Sequence, residues 1–161
     1  DLARSRGLGD VYKRQGPHMP DKQRYADELL RVMRPGGLLA VADWNRRDPS
    51  DGGMTRTERW VMRQLLNQWA HPEFASIKGF RQNLDNSVHH RGEIVTGDWT
   101  QATLPSWIDS IIEGIRRPWD VLSLGPKALL QGLRETPTLL LMHWAFATGL
   151  MQFGVFRINK D

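Results

Sequence analysis

Residues 29–42, with the sequence LLRVMRPGGLLAVA, place the end of a helix, a turn and a strand in immediate succession. Apolar side chains recur at helical spacing over residues 25–33, and Pro20 suits the first turn of that helix. The Pro-Gly-Gly turn at 35–37 ends it. The unbroken apolar run at 38–42 is typical of a strand buried on both faces of a parallel sheet. This order predicts half of a βαβ unit and therefore an α/β fold.

The composition favours one globular domain or a part of one, since 40% of the 161 residues are hydrophobic and 25% are charged. The absence of cysteine excludes disulfides, Cys-ligated zinc, Fe–S clusters and a thiol nucleophile. Basic residues outnumber acidic ones by 22 to 18, giving a formal charge of +4. We find no Lys/Arg cluster with interleaved aromatic residues on one face, so we expect no nucleic-acid partner.

The first fifteen residues show no hydrophobic period, and 10–15 read DVYKRQ, which resembles the translation of a transposase adapter used for sequencing libraries. We interpret residues 1–15 as adapter read-through rather than native protein. Without them the chain keeps 18 basic and 16 acidic residues. Residues 16–161 are then predicted to be the C-terminal part of a domain whose first part precedes Gly16.

The remaining elements are read from periodicity and turn residues. A polar loop and a Trp-bearing helix from about 57 to 69 form an insertion at 45–70, on the side where α/β proteins contact substrates. Further helices are predicted at 75–88, 104–115 and 127–134, with a strand at 93–99. The uncharged segment 136–156 is long enough to span a bilayer. Its polar residues favour a buried helix followed by a strand at 151–158.

Three motifs together carry a family resemblance: HMPDK at 18–22, ELLRVMRPGG at 28–37 and DWNRRD at 43–48. They resemble the second half of a class I S-adenosylmethionine-dependent methyltransferase. More narrowly, they are similar to the tocopherol and phytylbenzoquinol methyltransferases of cyanobacteria. The resemblance implies a doubly wound, Rossmann-like sheet with a reversed last strand. It also implies that the first strands and the Gly-rich cofactor loop lie upstream of Gly16 and are missing here.

The resemblance further implies an enzyme that uses S-adenosylmethionine to methylate the ring of a lipophilic prenylated or phytylated quinol. His18 is the candidate general base, because imidazole titrates near neutrality and His18 precedes a helix at the expected ligand edge. Asp43, at the exit of the next strand, is the candidate partner that orients His18. The alternatives are a backbone-bonded histidine and an aspartate that caps the following loop.

Aromatic residues are the candidates for substrate contacts. Trp44 and Met19 are predicted to wall the acceptor pocket, and Trp60, Trp99 and Trp107 to line a channel for an apolar tail. Core packing is the alternative interpretation for these tryptophans. We predict no metal site, because the adjacent histidines at 89–90 point in different directions and no second cluster has ligand spacing.

Two other functions stay open: a methyltransferase for another small lipophilic acceptor, and a non-catalytic membrane-associated module anchored by 136–156. The helix near 119–133, with basic residues around it, is compatible with peripheral membrane contact and with an ordinary amphipathic helix. We expect a location in the cytoplasm or at the surface of a thylakoid or plasma membrane. Without a cofactor loop, the 161-residue chain is predicted to be inactive alone and prone to aggregate through open strand edges.

Overall fold

The computed structural model describes residues 18–68, 72–90, 92–117, 119, 123 and 125–160. These residues form five helices and three strands, with a 3-10 turn at Pro49–Asp51. The helices are α1 (Lys22–Val32), α2 (Arg56–Gln68), α3 (Ile77–Asp85), α4 (Thr100–Arg116) and α5 (Pro126–Ala147), and the strands are β1 (Leu38–Arg46), β2 (Ile94–Asp98) and β3 (Met151–Asn159). The segment 1–15 lies outside the described residues, so its interpretation as adapter stays a prediction.

The strands form one sheet in the order β1-β3-β2, with β3 antiparallel to both neighbours. β1 and β2 therefore run parallel to each other on either side of a reversed strand. Asp43 and Asp98 both lie opposite Gly154 of β3, so the carboxyl ends of β1 and β2 reach the same edge of the sheet. The predicted α/β sheet with a reversed last strand is confirmed, and this edge is where such folds bind ligands.

Two hydrophobic cores flank this edge. The sheet core packs α1 and α3 against the strands, and its buried members are Ala26, Leu30, Phe80, Leu84, Ile94, Phe156 and Ile158. The end core joins α2 and α5 with the start of β3, and its buried members are Val61, Met62, Leu65, Phe74, Met142, Ala145, Phe146, Leu150 and Met151. The two clusters share no residue, so each can be perturbed separately.

Over residues 38–42, the described part of the chain covers only one face of β1, whereas burial on both faces was predicted. Leu39 and Val41 pack against the sheet core, whereas Leu38 is 59% exposed and Ala40 is exposed. Successive side chains of a strand point to opposite faces, and α1 and α3 cover the face of Leu39 and Val41. The apolar run correctly predicts a strand, but it does not show which face of that strand is covered by helices.

The segment predicted as two helices around Pro137 is one helix, α5. Pro137 removes a single backbone donor, and the Thr136 hydroxyl donates to the Gly132 carbonyl one turn earlier at 2.8 Å. Gly149, at a φ of +71°, ends the last turn before β3 begins. Residues 136–156 thus form the end of a helix and the start of a strand, as expected. Among the described helices, none is long and apolar enough to span a membrane.

α4 starts at Thr100, four residues before the predicted start at Leu104. The Asp98 carboxylate accepts the Thr100 amide at 2.9 Å and also the Thr100 hydroxyl. That hydroxyl in turn accepts the Phe153 amide at 2.8 Å. A carboxylate that satisfies a first-turn amide extends the helix N-terminus, and this cap was not recognised in the sequence.

The start of α2 is held by a capping box. The Glu58 amide donates to the Thr55 hydroxyl at 3.2 Å, and the Thr55 amide donates to the Glu58 carboxylate at 2.7 Å. Arg47, just after β1, pairs with the same carboxylate at 2.9 Å. The Thr55 amide and then Arg47 lower the pKa of Glu58. These contacts tie the inserted helix to the end of β1 and fix its position beside the ligand edge.

Candidate functional site

Asp43 is the most perturbed titratable group at the carboxyl end of β1. Its side chain is 7% exposed and accepts the Trp44 amide at 2.9 Å. Burial raises its pKa to about 7, against the opposing effects of that hydrogen bond and of Lys22. A carboxyl group with this pKa exchanges a proton near neutral pH, as general acid–base chemistry requires.

Two side chains of α1 share this environment with Asp43. Burial lowers the pKa of Lys22, although the charge of Asp43 acts in the opposite direction. Burial also raises the pKa of Tyr25, and the charge of Asp43 adds to that shift. Neither residue was singled out in the sequence. Their positions one turn apart at the start of α1 were the available signal.

His18 and Met19 immediately precede the start of α1. His18 is exposed and Met19 is half-buried. Asp21 caps α1 by accepting the Arg24 amide at 2.9 Å. This contact fixes where the helix begins and therefore where the residues before it lie. The groups that set the pKa of Asp43 are its own burial, Trp44 and Lys22. The pairing of His18 with Asp43 therefore stays a prediction.

A cavity of about 230 Å³ opens beside Trp44, and we call it the Trp44 cavity. Its apolar lining residues are Trp44, Leu104, Trp107, Phe146 and Phe153. Four hydroxyl groups add polar edges, from Thr100, Thr103, Ser106 and Ser110. The indole nitrogen of Trp107 is buried and has no hydrogen-bond partner among the described residues. Aromatic walls with a spare N–H donor fit a flat ring that carries an oxygen substituent.

The structure brings two of the predicted tryptophans, Trp44 and Trp107, to this cavity. Trp60 and Trp99 do not line it. Trp60 is 48% exposed on the outer face of α2, and Trp99 is 55% exposed beside Gly97. Aromatic character alone does not specify the face of an element, and among the described residues the three tryptophans predicted to line a channel, Trp60, Trp99 and Trp107, do not line one cavity.

A second cavity of about 640 Å³ lies along α2, and we call it the arginine groove. Its lining residues are Arg46, Met54, Arg56, Arg59, Met62, Arg63, Leu66, Glu73 and Phe74. The sequence analysis looked only for basic clusters with interleaved aromatic residues, and it did not single out this row of arginines. Arg56, Arg59 and Arg63 follow one another at helical spacing, with Trp60 beside them, and that spacing was legible in the sequence.

The described residues do not by themselves fit an S-adenosylmethionine site. No Gly-x-Gly loop follows a strand between residues 18 and 160. The backbone of the tight glycine turn before β1 is already hydrogen-bonded within the protein, since the Gly36 amide donates to the Lys160 carbonyl at 2.7 Å. The Lys160 amide in turn donates to the Gly37 carbonyl at 2.9 Å. These backbone groups close the sheet and are not available to hold a cofactor.

Sequence comparison finds methyltransferase relatives. The chain is 52% identical over 142 residues to a 2-methyl-6-phytyl-1,4-hydroquinone methyltransferase of Synechocystis sp., covering 88% of the chain and 45% of that protein. It is 25% identical over 147 residues to a chloroplastic tocopherol O-methyltransferase of Arabidopsis thaliana, covering 90% and 41%. The chain thus spans less than half the length of these curated relatives. No protein-family model matches it.

Solved structures give the same fold. A phosphoethanolamine N-methyltransferase 2 of Haemonchus contortus, in complex with S-adenosyl-L-methionine, has a TM-score of 0.74 at 11% identity, covering 92% of the chain and 32% of its own. A geranyl diphosphate C-methyltransferase of Streptomyces coelicolor has a TM-score of 0.62 at 13% identity, covering 92% and 45%. In sequence the chain is similar to these quinol and tocopherol methyltransferases, and its fold is similar to part of the fold of these solved S-adenosylmethionine-dependent methyltransferases.

Proposed function

We propose that this chain is the acceptor-binding part of an enzyme that methylates the ring of a prenylated or phytylated hydroquinone with S-adenosylmethionine as donor. The observation that carries the proposal is the Trp44 cavity, with its aromatic walls and the buried indole N–H of Trp107, which has no partner among the described residues. The 52% identity to a phytyl-hydroquinone methyltransferase supports the same acceptor class. A location in the cytoplasm or at a membrane surface remains part of this proposal.

The roles of the chain's own residues follow from the acceptor's chemistry. A hydroquinone ring carbon becomes more nucleophilic when one of its hydroxyl groups loses a proton. In this proposal His18 accepts that proton, and Asp43 orients the imidazole and stabilises its charge. The raised pKa of Asp43 supports a proton-handling role in this region. Trp44 walls the ring, Met19 lies on the substrate side, and Trp107 donates to an acceptor oxygen.

The test uses a chimera, because the chain spans 45% of the Synechocystis relative. The upstream part of that relative is joined to this chain, and methyl incorporation is measured with 2-methyl-6-phytylhydroquinone and with an unprenylated phenol. We expect turnover of the phytylated quinol in the chimera and none in the 161-residue chain alone. Turnover restricted to unrelated phenols would instead support a methyltransferase for another lipophilic acceptor.

Variants of the chimera test the assigned roles. His18→Ala is expected to lower kcat by about a hundredfold or more, as for loss of a general base. His89→Ala serves as the matched control, because His89 lies before the start of β2 and so away from the ligand edge. This variant should retain full activity. If His18→Ala and His89→Ala have the same kcat, His18 is not the base. Asp43→Asn should shift the lower limb of the pH–rate profile, which a purely structural role would leave in place.

A further inference from the structure

The arginine groove lies outside the site assigned to the acceptor. It shares no lining residue with the Trp44 cavity. A hydroquinone carries neutral hydroxyl groups, so it gives no reason for four guanidinium groups around one cavity. The groove's volume of about 640 Å³ lies within the usual range of small-molecule sites.

The positive charge of the groove is largely uncompensated. Glu73 pairs with Arg46 at 3.2 Å, and Arg59 donates to the Met54 carbonyl at 2.8 Å. Arg56 and Arg63 form no ion pair with any acidic side chain of the described residues. Like charges at these helical spacings repel one another, and an anion between them would relieve the repulsion.

Arg46, which lines the groove, keeps an unsatisfied donor beside its ion pair with Glu73. Its Nε is buried and has no hydrogen-bond partner among the described residues. A buried donor without an acceptor is costly, and native structures usually satisfy such a group. Guanidinium groups bind phosphate and carboxylate oxygens with paired, charge-assisted hydrogen bonds.

The floor of the groove is apolar. Met62 and Phe74 are buried there, with Met54 and Leu66 beside them. Methionine and leucine side chains adapt to an alkyl chain, whereas a nucleic-acid site pairs its basic residues with aromatic stacking surfaces. Trp60 is exposed on the same helix but does not line the groove.

We propose that the arginine groove binds an anionic amphiphile, with a phosphate or carboxylate head at the arginines and an alkyl chain over the methionine and leucine floor. The head group has two sources, a soluble amphiphile or a lipid in a bilayer. The proposal is independent of methyl transfer, so its test does not need an active enzyme.

Calorimetric titration of the chain with decyl phosphate below its micellar concentration tests the site. We expect decyl phosphate to bind at least tenfold more tightly than inorganic phosphate and than a neutral ten-carbon glycoside. Arg56→Gln/Arg59→Gln/Arg63→Gln should weaken binding by about a thousandfold, at about tenfold for each of the three charge-assisted contacts. Arg24→Gln/Arg31→Gln/Arg81→Gln removes the same charge from α1 and α3 and should leave binding unchanged.

A second variant, Arg56→Glu/Arg63→Glu, keeps the Arg59 contact with Met54 and so separates loss of binding from damage to α2. Flotation with phosphatidylglycerol vesicles against phosphatidylcholine vesicles then identifies the source, since a bilayer-held head floats the chain and a soluble amphiphile does not. The proposal fails if groove and control variants bind alike, if the neutral glycoside binds equally well, or if a single-stranded oligonucleotide displaces decyl phosphate.

Discussion

The two cores differ in how completely they are filled. In the sheet core, the ring of Phe80 packs edge to face against the ring of Phe156, with 4.9 Å between the ring centroids. It also stacks on the ring of Tyr25, with 5.7 Å between the centroids. In the end core, partly buried aromatic residues border the Trp44 cavity, and the indole nitrogen of Trp107 lacks a partner. The sheet core is filled by these ring contacts, whereas the end core borders a cavity of about 230 Å³.

Truncating one phenylalanine in each core measures that difference directly. Phe156→Ala is expected to lower the free energy of unfolding by about 4 kcal/mol, because the ring is fully buried. Phe146→Ala should cost about 2 kcal/mol, because its ring already borders a cavity. Urea unfolding of both variants gives the comparison. Equal losses would mean that the end core is as tightly packed as the sheet core.

Gly154 lies between the two cores, and neighbouring side chains already fill the space that a Cβ would occupy there. A Cβ there would come within 2.9 Å of Ile77 and closer still to the Asn45 side chain, which accepts the Gly154 amide at 3.1 Å. Gly154→Ala should therefore destabilise the chain by about 3 kcal/mol through steric overlap and loss of that contact. Gly132→Ala, in an open position of α5, is the control and should be neutral or slightly stabilising. Thermal unfolding of the two variants decides.

Asp43 differs from the apolar residues of the well-packed part because it is a buried carboxyl group. Burial raises its pKa to about 7. Below its usual pKa of 3.8 it is protonated in both the folded and the unfolded chain, so it costs nothing. Between pH 3.8 and about 7 the unfolded chain releases this proton while the folded chain keeps it, so the folded chain loses up to about 4 kcal/mol of stability over that range and no more at higher pH. Asp43→Asn should thus stabilise the chain at pH 8 and have little effect at pH 4.

Urea unfolding at the two pH values checks this, with Asp85→Asn on α3 as a control. Asp85 pairs with Arg81 at 3.7 Å on the surface, and its replacement should change stability little at either pH. A pH-independent effect of Asp43→Asn would show that the carboxyl stays charged when folded.

The smallest expected effect on stability is at Trp107. Trp107→Phe keeps an aromatic ring in the end core and removes the unpartnered N–H, so the free energy of unfolding should change by less than about 1 kcal/mol. Binding of a phytylated hydroquinone should nevertheless weaken about fivefold or more, since a donor to its oxygen is lost. Intrinsic fluorescence titration measures the affinity, and Trp99→Phe, outside the cavity, is the control.

Local signals in the sequence determined most of the fold. The helix that ends at the Pro-Gly-Gly turn, the strand after it and the helix-to-strand change at Gly149 depend on neighbouring residues, and all three were predicted. The start of α4 and the passage of α5 through Pro137 depend on contacts made elsewhere in the structure. The Asp98 carboxylate accepts the first amide of α4, and the apolar face of α5 packs onto the end core, so neither could be read from periodicity.

The site was less predictable than the fold. Trp44 and Trp107 were identified from residue type, but which tryptophans share a cavity is set by how α4 and α5 pack. The raised pKa of Asp43 arises from burial, which a sequence does not report. The arginines of α2 were the missed signal, since their spacing alone places them on one face.

The reversed strand has a consequence for the order in which the chain can fold during synthesis. In the described sheet, β1 and β2 are joined only through β3, and the Asn45–Gly154 contact closes a loop of 109 residues. β1 leaves the ribosome long before β3 is made. The edge of β1 that later pairs with β3 therefore stays unpaired while α2 to α5 are synthesised. Among the described residues, β1 and β2 are therefore joined into one sheet only after β3, which follows all the helices, has been made.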